Sequence, residues 1–74
     1  MRLTWTIALR SGPAVGSAEA ATLDECTTQL ELALKEALPD WTPEHTEALA
    51  RVRSALAGGR RSVTATAFMV TLED

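Results

Sequence analysis

Two prolines four residues apart, Pro39 and Pro43, divide the middle of this chain and fix how its longest regular stretches can meet. Proline stops a helix that runs into it and suits the first position of the next, where a missing amide costs nothing. Upstream, Leu23, Cys26, Leu30, Ala33, Leu34 and Ala37 recur at three- and four-residue steps. At ~100° per residue they form one apolar stripe. Downstream, His45, Ala48, Leu49, Val52, Ala55 and Leu56 share a face in the same way. The spacing therefore predicts two amphipathic helices, and so short a connection packs them as an antiparallel hairpin.

The helix ends carry matching signals. Thr22-Leu23-Asp24-Glu25 fits a capping box, with the Thr22 hydroxyl taking an orphan amide and Glu25 reaching back to the Thr22 amide. Thr42 suits the cap of the second helix, and Gly58-Gly59 its termination. Arg51 and Arg53 fall near the negative end of that helix.

The flanking segments read as strands. Leu3, Trp5, Ile7 and Leu9 alternate with Arg2, Thr4, Thr6 and Ala8, the period of a half-buried strand. Ser11-Gly12-Pro13 punctuates it, and residues 14–20 read as a second, weak strand returning along the first, with an ordered loop as the alternative. Arg61 to Leu72 reads as a final strand, uninterrupted by Gly or Pro, before an acidic tip at Glu73 and Asp74. Val63, Ala65, Ala67 and Met69 occupy one face of it, and Thr64, Thr66, Phe68, Val70 and Leu72 the other. Apolar residues on both faces imply a central strand or a second buried surface. The expected fold is thus α+β: a single small domain over residues 1–74, a two-layer sandwich in the order β(β)ααβ. A small antiparallel sheet is covered on one face by the helical hairpin.

A chain of 74 residues with one cysteine has neither a disulfide framework nor a four-ligand Cys/His zinc site to stabilise it. Small scaffolds of this kind commonly need a staple, and association is the remaining route. The final strand also lacks Lys or Pro to blunt edge pairing. These points predict a homodimer sharing a sheet or helix face. The net charge of −3 argues against a general nucleic-acid binder. No apolar run approaches the ~20 residues that span a bilayer, and the N-terminus lacks a signal-peptide core, so a cytoplasmic location without membrane association is expected.

Reactive groups are sparse. Cys26 lies on an apolar stripe, the usual place of a small buried thiol. His45 could serve it as a base only with an orienting group and an oxyanion site beside them. The antiparallel hairpin places the start of the first helix away from His45. No catalytic residue, metal ligand or cofactor is assigned, and a non-enzymatic protein is expected. The informative residues are apolar ones off the core faces: Leu32, opposite Leu30 on the first helix; Trp41, in the interhelical turn; and Phe68 with Val70 on the final strand. Such residues mark partner-binding surfaces. Arg51, Arg53, Arg60 and Arg61 cluster near the end of the second helix as possible contacts to phosphate or an acidic partner.

The passage from the first strand through Thr22-Leu23-Asp24-Glu25-Cys26 into a Leu/Ala-rich helix resembles, over about half the chain, the N-terminal part of HicB-type antitoxins. In those proteins a β-hairpin or meander leads into a helix with a similar cap. The second helix directly after the first departs from that pattern, and no functional residues are carried over. The expected function is a non-catalytic protein–protein interaction module, a regulatory or inhibitory accessory acting as a homodimer. The alternative is an antitoxin-like, nucleic-acid-associated regulator using the arginine cluster.

Overall fold

A computed structural model describes residues 1–73; Asp74 of the expected acidic tip lies outside them. The chain runs β1 (Arg2–Leu9), β2 (Gly12–Glu19), α1 (Leu23–Ala37), α2 (Pro43–Ala57), β3 (Ser62–Thr64) and β4 (Phe68–Glu73). The four strands form one antiparallel sheet in the order β2-β1-β4-β3. α1 packs on β1 and β2, and α2 on β3, giving the two-layer α+β sandwich. Leu3, Trp5 and Ile7 of β1, Phe68 and Val70 of β4, Cys26, Leu30 and Leu34 of α1, and Leu49, Val52 and Leu56 of α2 share one core.

The weak second strand is a full partner of β1. A two-residue loop, Arg10-Ser11, joins them, and Gly12 follows at φ 120°, a conformation that L side chains rarely adopt. Gly16, which makes this strand look poor, lies opposite Trp5 in register. A Cβ placed there would sit 2.5 Å from the indole Nε1 and 2.7 Å from Cε2. The glycine is the space into which the buried Trp5 ring packs.

The single final strand is corrected to a hairpin. β3 and β4 are antiparallel, with Val63 opposite Val70 and the reversal at Thr66-Ala67. Their register puts Val63, an odd position, on the same face as Phe68 and Val70, which are even. The two-faced alternation of Arg61–Leu72 is thus a change of phase across a turn. The reversal escapes detection because Thr66-Ala67 contains no Gly, Pro, Asn or Asp, and the described residues hold no non-glycine with positive φ. β4 lies inside the sheet, so the edges are β2 and β3.

The helix ends refine the expected caps. Thr22 Oγ1 accepts from the Glu25 N–H at 3.2 Å, but among the described residues the reciprocal arm from Glu25 is not made. The complete box is at α2: Thr42 Oγ1 accepts from the His45 N–H, and His45 Nδ1 accepts from the Thr42 N–H at 3.2 Å. Past the glycines, the Arg60 N–H reaches the Ala55 carbonyl and the Gly59 N–H reaches Leu56, a Schellman closure with Gly59 at φ 102°. Neither Arg51 nor Arg53 lies in the last turn.

Candidate interaction surface

The helices cover one face of the sheet; the other is built by every second residue of each strand. Arg2, Thr4, Thr6 and Ala8 of β1 point there, in register with Glu19, Ser17, Val15 and Pro13 of β2. Met69, Thr71 and Glu73 of β4 and Ser62 and Thr64 of β3 complete it. Side chains therefore fall into cross-strand rows. Val15, Thr6, Met69 and Thr64 form one; Ser17, Thr4, Thr71 and Ser62 form the next; Glu19, Arg2 and Glu73 close the end. Val15 is 78% exposed and Met69 45%, with Thr6 between them in register. The hydroxyl row is lightly tied down, by Thr4 Oγ1 to the Thr71 carbonyl at 3.4 Å. Arg2 approaches Glu19 at 3.9 Å, with both side chains largely solvated, so this pair adds little stability.

The residues expected at a binding surface separate into two groups. Leu32 is 58% exposed on α1, away from Leu30. Phe68 and Val70 are corrected: both are buried in the core, because the turn at Thr66-Ala67 directs the even face of β4 towards the helices. Met69, between them, points outward instead. Val15 was missed because its strand looked weak, although period-two alternation across Ala14-Val15-Gly16 places it opposite its small neighbours.

Trp41 is half-buried over the first turn of α2. Its Nε1–H donates to Thr46 Oγ1 at 2.9 Å, its ring meets the His45 ring at 5.2 Å, and Lys35 Nζ lies 5.6 Å from its centre. Much of its recognition capacity is spent within the chain. His45 belongs to this cap, whereas Cys26 is buried, with Sγ 3.9 Å from the Met1 and Ala18 carbonyls. The two residues touch different elements, which gives a thiol–imidazole pair no basis.

The four arginines do not converge either. Residues two apart on a helix do not share a face, and Arg53 turns towards α1, where Nη2 meets Glu31 Oε1 at 2.7 Å. Glu31 also holds Lys35 at 2.9 Å. The Lys35 hydrogen bond outweighs desolvation and, with the Lys35 and Arg53 charges adding to it, keeps the Glu31 carboxyl below its ordinary pKa. Arg51, Arg60 and Arg61 lie on the exposed surface. Among the described residues, no three His, Cys, Asp or Glu side chains are grouped as a metal site requires, and no helix is long and apolar enough to cross a membrane. Compared with known proteins, the chain matches no family model, no curated protein and no solved structure, so the antitoxin resemblance rests on the helix-start residues alone.

Proposed function

We propose that this chain is a single-domain, non-catalytic protein–protein interaction module of the cytoplasm, a regulatory or inhibitory accessory that acts as a homodimer. The observation supporting this reading is the uncovered sheet face. A four-stranded sheet with helices on one side leaves Val15 and Met69 flanking Thr6 in solvent, bordered by hydroxyls and an acidic–basic–acidic row. An apolar strip with a polar rim is what a partner surface uses for burial and orientation. Leu32 adds an exposed contact on the helical layer. The nucleic-acid alternative is weakened because Arg53, one of its four arginines, is neutralised by Glu31.

The test is affinity capture with the wild-type chain, followed by rebinding of the purified partner to Met69→Lys and Leu32→Asp variants. Loss of at least tenfold in affinity for Met69→Lys, with an unchanged circular dichroism spectrum, is expected. Equal binding by both variants would refute the surface. Duplex or single-stranded nucleic acid bound with a steep salt dependence, and lost in an Arg51→Ala/Arg60→Ala double variant, would favour the alternative.

A further inference from the structure

The uncovered face ends at β2, and this edge has a specific pairing geometry. Met1 and Ala20 exchange both backbone hydrogen bonds, at 3.0 and 3.1 Å. Counting along the antiparallel register, Ala18, Gly16, Ala14 and Gly12 direct their N–H and C=O groups at β1, whereas Glu19, Ser17, Val15 and Pro13 direct theirs away from the sheet. The outward row is long, unbulged and free of lysine, and edges like this are templates for another strand. Its one proline, Pro13, stands at an outward position near the strand end.

We infer that β2 pairs with β2 of a second copy, antiparallel about a two-fold axis at Gly16, to make one continuous eight-stranded sheet. This deepens the reading of the chain as a self-associating module and rests on it. In that register Val15 and Ser17 exchange bonds with Ser17 and Val15 of the second copy, and each Glu19 N–H meets the other copy's Pro13 carbonyl. The bond that Pro13 cannot donate is lost only at the rim. Sliding the pairing towards the hairpin tip would set Pro13 against Ser17 inside the ladder and orphan a carbonyl in each copy; sliding it the other way keeps the same number of bonds but pairs five residues of each strand, 15–19, in place of seven, 13–19.

Charge favours the same arrangement. The β1–β2 tip carries one ionic side chain, Arg10, and it is exposed. The opposite end of the edge opens on a groove of about 650 Å³ between β2 and α1, flanked by Asp24 and Glu25 and by Glu19, whose charge Arg2 partly offsets. Antiparallel pairing brings each basic tip beside the other copy's acidic groove, while a parallel pairing would set like charges together. The helix-facing residues of β2 are Gly12, Ala14, Gly16 and Ala18, none larger than alanine, which leaves room for two copies of α1 to flank the seam. The exposed Val15–Thr6–Met69 rows of the two copies then lie side by side on one surface.

Light scattering coupled to size exclusion, at micromolar to 100 µM chain, tests this. The wild type is expected at twice the 7.9 kDa chain mass. Ser17→Pro removes an outward N–H without breaking a bond to β1, as Pro13 already does, and should elute at the chain mass with a strand–helix circular dichroism spectrum unchanged. Val15→Lys, which sets two ammonium groups diagonally across the axis, is expected to weaken the dimer at least tenfold and recover at high salt. A dimer that survives both variants would overturn the edge pairing and leave self-association standing. A wild type at the chain mass throughout would overturn both, without touching the partner-binding test on Met69.

Discussion

Gly16 gives the sharpest test of the packing. Glycine inside a strand ordinarily weakens it, so replacement by alanine should stabilise by about 0.5–1 kcal/mol on backbone entropy alone. Here the added methyl meets the indole of Trp5 at 2.5–2.9 Å, and that ring is rigid and only 7% exposed. It cannot swing aside without disturbing the core it shares with both helices, so the overpacking cost belongs in the upper part of the range of about 1–3 kcal/mol. Gly16→Ala is therefore expected to destabilise by about 1–2 kcal/mol net. At about 4–8 °C per kcal/mol for a domain of this size, the melting temperature falls by about 5–15 °C. Thermal unfolding followed by circular dichroism at one fixed chain concentration reads the shift, because dimerisation makes the midpoint concentration-dependent. Indole emission should move to longer wavelength as Trp5 is displaced. Adding Trp5→Leu should remove most of the penalty specific to Gly16→Ala, a coupling of about 1 kcal/mol in a double-mutant cycle. A Gly16→Ala variant as stable as the wild type, with unchanged emission, would refute the argument.

Other outcomes follow from the same contacts. Phe68→Ala removes a buried core ring and should cost about 3–5 kcal/mol, enough to unfold a small domain, whereas Leu32→Asp should leave stability within about 0.5 kcal/mol by urea denaturation. Thr22→Ala and Thr42→Ala each delete a cap and should cost about 1 kcal/mol by the same measurement, with Thr42 the larger because its box is closed from both sides. Glu31 has a folded pKa below its unfolded one, so its contribution to stability is present above the ordinary carboxylate range and fades as pH falls through the folded value. Glu31→Gln should flatten that part of the acid limb, and Lys35→Met should raise the Glu31 pKa observed by NMR more than high salt does.

Periodicity and punctuation alone located β1, α1 and α2 and their ends, because these elements are specified locally: an apolar stripe at the helical repeat, threonines at the caps, proline and glycine at the breaks. The two-layer α+β class followed from that order. Three things were decided by tertiary structure. Arg61–Leu72 had the composition of one strand, yet its second half pairs with β1, so the chain reverses at Thr66-Ala67 without a turn residue to announce it. That reversal moved Phe68 and Val70 from the expected surface into the core and exposed Met69 in their place. Gly16 lowers the local strand propensity of β2, and its reason lies across the sheet, in the Trp5 ring that occupies the space. A local pattern records which residues alternate; which side of the sheet they reach depends on strand pairing between residues tens of positions apart, and pairing energy is a property of the assembled sheet.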